Sequence, residues 1–322
     1  MQPVKGFAPD TMSRGEARHA RGTWQLLRAS LGTHRLRPYG FHGDAAKPLN
    51  PPRQVSRPEK RHMPVIQADG CPIHVEIEGP ERAPALMLSN SLGTNLHMWD
   101  DQAAELATRF RLVRYDSRGH GRSGAPRGPY SIDRLGRDAI AVMDALGLKT
   151  VNWCGLSKGG MVGMWLGSNA PERISKLILS NTACHMPAAD IWGQRITTAR
   201  SQGMAPLVEG TLERWFTKGF RERAPQEVTR VRDMLLATPP EGYAACCEAI
   251  RDMDQRESIK RITAPTLIIC GRHDPATNVE AAEAIRSRIP GSALTLLDAA
   301  HIANIEQPDD YTETVLGFFM QK

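Results

Sequence analysis

Gly155-Leu156-Ser157-Lys158-Gly159 places one serine between two glycines, at the end of the apolar run Val151–Leu156 and at the head of a stretch rich in small residues. That spacing suits a sharp strand-to-helix turn. The serine takes a strained backbone conformation that lifts its hydroxyl clear of the sheet, and bulkier neighbours two positions away would collide with strand and helix. The helix start behind it offers free N–H groups and the positive end of the helix dipole. A serine hydroxyl attacks only when a base takes its proton and a third group holds that base. Asp274, in Gly271-Arg272-His273-Asp274-Pro275, and His301, in Ala299-Ala300-His301-Ile302-Ala303, each follow an apolar strand-like run. Taken singly, Asp274 reads equally as a turn residue before Pro275, and His301 as a helix cap. His120 and His273 are rival histidines, one in a Gly-rich turn and one adjacent to the acid. The three together, each just past a strand, outweigh those readings. A developing oxyanion needs two backbone donors, expected from Lys158, directly after the serine, and Leu92, in the loop after Ala85–Ser89.

Elements must bring these positions to one edge. Cys71–Glu78 alternates, with Ile73, Val75 and Ile77 on one face, as in a half-exposed antiparallel edge hairpin. Ala85–Ser89, Arg111–Tyr115, Val151–Leu156, Lys176–Ser180, Thr266–Cys270 and Leu294–Leu297 read as strands, Ala85–Ser89 and Lys176–Ser180 as buried ones. Helices are predicted near 98–109, from an N-cap at Ser131 to Leu146 with Gly147 as stop, after Ser157 to near Pro171, over 279–288, and from His301 onward. Residues 187–259 abandon the strand pattern and read as an inserted helical cap. Strands alternating with helices imply an α/β fold: a mostly parallel central sheet covered on both faces. Strand C-terminal ends gather at one edge of such a sheet, and sites form there. The chain order Ser157, Asp274, His301 is the one expected of the alpha/beta-hydrolase fold.

Composition narrows the function. Residues 1–62 hold 12 Lys/Arg and 4 Asp/Glu, which leaves 29 and 31 for residues 63–322. The net charge of +6 therefore belongs to the tail, and a mildly acidic body argues against nucleic acid as partner. The tail reads as a basic, disordered extension: an Arg-rich targeting peptide, or a start assigned too early with Met63 the true first residue. The second reading fits the folded pattern beginning directly after Met63. No apolar run reaches membrane-span length. Six cysteines without paired spacing read as buried hydrophobes in a reducing, cytoplasmic setting. Metal-ligand spacing is missing too, so neither metal nor cofactor is expected.

The chain resembles the 3-oxoadipate enol-lactonases of the α/β-hydrolase superfamily over roughly Met63 to the C-terminus. The stretches that carry the resemblance are Leu88-Ser89-Asn90-Ser91-Leu92-Gly93-Thr94, Asp116-Ser117-Arg118-Gly119-His120-Gly121, Cys154-Gly155-Leu156-Ser157 with Gly159-Gly160-Met161, and Ala300-His301-Ile302-Ala303-Asn304-Ile305-Glu306-Gln307-Pro308. It implies Ser157, Asp274 and His301 as nucleophile, acid and base, and Leu92 and Lys158 as oxyanion donors. It also implies hydrolysis of a five-membered enol-lactone with a carboxymethyl arm, in the breakdown of aromatic compounds. One departure stands out, because the family usually has Met where this chain has Lys158. An anionic substrate needs a cation. Residues 188–260 carry 11 Lys/Arg and 11 Asp/Glu, so the grip must come from placed residues. Arg214 beside Trp215 is the candidate and Lys158 its rival; Arg214 as a solvated residue is the plain alternative. A general carboxylesterase, a lactonase of other specificity, a cofactor-free haloperoxidase-like activity and a low-turnover binding protein are the competing functions. A dehalogenase or epoxide hydrolase would carry a carboxylate at the Ser157 position.

Overall fold

The computed structural model describes residues 63–187 and 189–321, so the N-terminal extension 1–62 lies outside the described residues. Its frame is an eight-stranded sheet. In chain order the strands are β1 (Val65–Ala68), β2 (Cys71–Glu78), β3 (Ala85–Ser89), β4 (Arg111–Tyr115), β5 (Val151–Leu156), β6 (Ile174–Ser180), β7 (Thr266–Gly271) and β8 (Ala293–Leu297). They lie in the order β1-β2-β4-β3-β5-β6-β7-β8. β1 and β2 run antiparallel to their neighbours, and the others pair in parallel. Every residue of β3, β5 and β7 is buried, as both-face coverage demands. Alternate residues feed two cores. Trp153 joins Val113, Val162 and Leu177 on one side, while Cys154 and Leu156 join Leu86, Leu88 and Ile178 on the other.

The helices are α1 (Asp100–Leu106), α2 (Ile132–Ala145), α3 (Lys158–Asn169), α4 (Ala189–Gln202), α5 (Ala205–Trp215), α6 (Lys218–Arg223), α7 (Pro225–Ala237), α8 (Pro240–Arg251), α9 (Val279–Arg286), α10 (Ala303–Glu306) and α11 (Pro308–Phe319). Ser131 caps α2 by accepting the Arg134 N–H at 3.1 Å. Helices α4 to α8 fill the long connection between β6 and β7.

Three local expectations are corrected. β1 and β2 form the antiparallel hairpin at the sheet edge, but β2 is not half-exposed there: its polar residues His74 and Glu76 are buried as well. The reason is Arg114 on β4, whose buried guanidinium donates to Glu76 at 3.2 Å, to Asp100 at 2.5 Å and to Glu78. Alternation of apolar and charged residues looks the same whether water or a guanidinium meets the charged face. The helix expected over 98–109 begins as a tight 3-10 turn, Leu96–Trp99, capped by Asn95, before α1. The final helix is two, because Pro308 cannot donate to a preceding carbonyl and opens α11 at its first turn.

The Gly-rich turn after β4 is held from both ends. Asp116 accepts the N–H groups of Leu96 and Arg122, both at 2.8 Å. Arg118 donates twice to Asp138 on α2, each at 2.7 Å, and to the Ala68 carbonyl at 2.8 Å. Both partners are buried, so removing one strands the other's charge. Asp138→Ala is expected to cost about 3–5 kcal/mol in urea unfolding. A loss below about 1 kcal/mol, the scale of an exposed pair, would contradict the assignment.

Candidate active site

The parallel register sets strand ends side by side. Ser89 pairs with Gly155, Leu156 with Ser180, Ser180 with Ile269, and Gly271 with Leu297. The residues that follow these ends are the loop 90–94, Ser157, Asn181, Asp274 and His301, and they share one rim.

Ser157 has φ 57° and ψ −114°, a region that L-residues rarely adopt. It is overdetermined there: its N–H donates to Ser180 O at 2.9 Å, and its carbonyl accepts from Thr182 Oγ1 at 2.8 Å. A Cβ on Gly155 would sit 2.1 Å from Gly159 O, and one on Gly159 would sit 2.1 Å from Ser89 O. Only glycine lets α3 press this closely on the sheet.

The carboxylate of Asp274 is surrounded by donors. Oδ1 accepts the N–H groups of Ala276 and Thr277, at 2.8 and 3.0 Å. Oδ2 accepts from Thr277 Oγ1 at 2.6 Å, from Asn181 Nδ2 at 3.1 Å and from His301 Nδ1 at 2.7 Å. Burial alone would raise its pKa, but the His301 charge and the hydrogen bonds from His301 and Thr277 outweigh it. They hold the carboxyl well below the usual carboxylate range. An ionised Asp274 fixes the proton on Nδ1 of His301 and leaves Nε2 free to accept another. The His301 loop is itself anchored, with Ile302 N–H donating to Trp215 O at 3.1 Å and Ala300 N–H to Glu306 at 2.9 Å. The Trp215 ring lies 5.9 Å from the imidazole, tilted by 31°.

Ser157 and His301 open onto one cavity of about 340 Å³, which Leu92, Trp192, Arg195, Arg214 and Trp215 also line. Such an arrangement can pass a proton from a hydroxyl to an imidazole beside a bound acyl group. Among the described residues the Leu92 N–H has no acceptor, and Lys158 stands at the first helical position, where an N–H has no helical partner.

Arg214 and Arg195 face this cavity without a carboxylate partner among the described residues; Arg214 Nη2 reaches only Thr211 Oγ1 at 3.3 Å, and Arg195 lies over the Trp192 ring, 4.9 Å from its centroid. Burial, and then the Arg195 charge, lower the Arg214 pKa. Lys158, the rival grip, is not among the residues that line the cavity; its side chain is buried, and Nζ has no hydrogen-bond partner among the described residues. The rival histidines are placed elsewhere. His273 is exposed and pairs with Asp298 at 2.7 Å, and His120 is buried under the loop at Gly93.

Sequence reasoning missed Asn181, Thr277 and Arg195. Asn181 directly follows β6, so the end-of-strand rule that selected Asp274 and His301 would have selected it too. Nothing local separates Arg195 from the other cations of its segment. All six cysteines are buried and free. Among the described residues no cluster of side chains could hold a metal, and no helix is long and apolar enough to cross a membrane.

Sheet order, strained serine and buried Asp274–His301 contact define an α/β-hydrolase. The profile of the alpha/beta hydrolase fold matches residues 84–199. The chain is 42% identical over 237 residues to 3-oxoadipate enol-lactonase 2 of Acinetobacter baylyi, covering 74% of this chain and 89% of that one. It is 36% identical over 254 residues to 3-oxoadipate enol-lactonase 1 of the same organism, covering 79% and 95%. The crystal structure of the enol-lactonase from Burkholderia xenovorans superposes with a TM-score of 0.79 at 41% identity, covering 80% of this chain and all (100%) of that one. The chain belongs to the 3-oxoadipate enol-lactonase family, hydrolases of carboxylic ester bonds.

The depressed Asp274 pKa has a stability consequence with a definite sign. Its contribution is fully present above the unfolded value, about 3.9, and is lost as pH falls from there through the lower folded value. Asp274→Asn is therefore expected to flatten the fall of urea midpoints below about pH 4. An unchanged slope would remove the carboxylate from the acid transition.

Proposed function

We propose that the chain hydrolyses the enol-lactone of 3-oxoadipate through an acyl-enzyme on Ser157. His301 Nε2 takes the Ser157 proton as Oγ attacks the lactone carbonyl, and Asp274 orients the imidazole and balances its charge. The N–H groups of Leu92 and Lys158 receive the oxyanion. Ring C–O cleavage releases an enol oxygen, which collects the proton from His301 and tautomerises to the ketone. His301 then deprotonates water, whose oxygen displaces Ser157 Oγ from the acyl carbon; Ser157 recovers its proton from His301, and the second carboxylate is freed. Helices α4 to α8 act as the cap that closes the site, Arg214 and Arg195 hold the carboxymethyl anion, and Trp215 forms a flat wall beside it.

The observation that carries this reading is the pair of guanidiniums without a carboxylate partner among the described residues, Arg195 and Arg214, in the cavity that Ser157 and His301 share. Two nearby cations disfavour each other until an anion arrives. An uncharged ester would leave them uncompensated, which favours a small carboxylate-bearing lactone over a neutral aryl ester.

Ser157→Ala is expected to lower kcat on the enol-lactone by about 10⁴-fold or more. Unchanged turnover would remove the serine from the scheme. Arg214→Met should raise KM for the anionic lactone by about 10- to 100-fold, the worth of a charged hydrogen bond, and leave a neutral aryl ester nearly untouched. Equal losses on both substrates would sink the carboxylate grip.

A further inference from the structure

The loop 91–94 supplies the proposed Leu92 donor, and its other backbone donors are already committed. Ser91 N–H donates to Met98 Sδ at 3.3 Å and Thr94 N–H to Ser91 O at 3.4 Å. Gly93 N–H donates at 2.8 Å to Nε2 of His120, a fully buried side chain from the Gly-rich turn after β4. On the other side, Thr238 Oγ1 donates to Gly93 O at 3.1 Å. Gly93 itself has φ +77°, and a Cβ there would lie 2.7 Å from Leu235.

The His120 partners dictate its proton. A backbone N–H can only donate, so Nε2 must be bare. The ring's other nitrogen, Nδ1, lies 3.2 Å from the Arg118 carbonyl, which can only accept, so Nδ1 carries the hydrogen. A second proton would destroy the Gly93 bond. Cys246 Sγ, 4.0 Å from Nδ1, is the other polar neighbour of the ring. Burial, and then the Lys158 charge, push the His120 pKa well below its ordinary value, against the Arg118 carbonyl.

We infer that His120 is a positioning residue for the oxyanion hole: as a neutral, Nδ1-protonated acceptor it ties down Gly93 and leaves the Leu92 N–H aimed at the substrate carbonyl. The inference rests on the proposed use of Leu92 as an oxyanion donor.

The test compares three variants of the full chain on the enol-lactone. His120→Gln can place an amide oxygen where Nε2 was. His120→Asn can reach only the Nδ1 position, and His120→Leu offers neither. Misplacing one oxyanion donor should lower kcat by about 10- to 100-fold for the Asn and Leu variants, with KM changed by less than about threefold. His120→Gln should keep kcat within about fivefold of the parent. Wild-type kcat in His120→Leu, or losses that follow thermal midpoint rather than acceptor position, would overturn the inference. A measurement on the unaltered chain guards against variants that fail to fold. Nitrogen-15 spectra of its histidines should show His120 neutral, with Nδ1 protonated and Nε2 bare; an Nε2–H tautomer or an imidazolium would also overturn it. Activity lost in Ser157→Ala but kept in His120→Leu would defeat this inference alone, whereas activity kept in Ser157→Ala would defeat the underlying reaction scheme.

Discussion

Three backbones meet at the turn after β5, and the rest of the structure depends on how closely they meet. Gly155, Gly159 and Ser89 approach to distances that a methyl group would forbid. The contact forces Ser157 into positive φ, worth roughly 1–3 kcal/mol of strain. Bonds to Ser180 and Thr182 and the packed core on both sides of the sheet hold it there. The strain has two results that cannot be separated. It exposes the hydroxyl to the cavity, and it starts α3 at the next residue, so that a helical N–H lies beside it.

Charge is distributed unevenly around that turn. Asp274 is an anion with its lone pairs filled by five donors, hence a fixed reference for His301. Arg195 and Arg214 are cations with no carboxylate in salt-bridge contact among the described residues. Saturated groups hold geometry, while unsaturated ones wait for a ligand. Lys158 Nζ has no hydrogen-bond partner among the described residues either, but its side chain is buried and does not line the cavity.

The strand-and-helix alternation was legible because periodicity follows directly from which faces are buried. β3, β5 and β7 read as unbroken apolar runs, and they are buried on both faces. Boundaries were read well where chemistry marks them, at the Ser131 cap and the Gly147 stop. Burial was misread where a tertiary partner intervened, since Arg114 meets the charged face of β2, and one boundary was missed at a local signal, Pro308, which splits the last helix.

The sequence by itself determined which residues we propose as reactive, and their order, because a strained turn, a free imidazole and an acid after a strand each require particular residue types at particular spacings. Tertiary structure decided what surrounds them. Asn181 and Thr277 complete the Asp274 site, Arg195 joins Arg214, and His120 moves from rival base to support of the Gly93 loop. These partners are separated along the chain by up to 93 residues. Asn181 at a strand end and Thr277, three residues past Asp274, carry local signals; the His120–Gly93 contact is made across folded layers and leaves no periodic trace in either segment, so only the assembled sheet can reveal it.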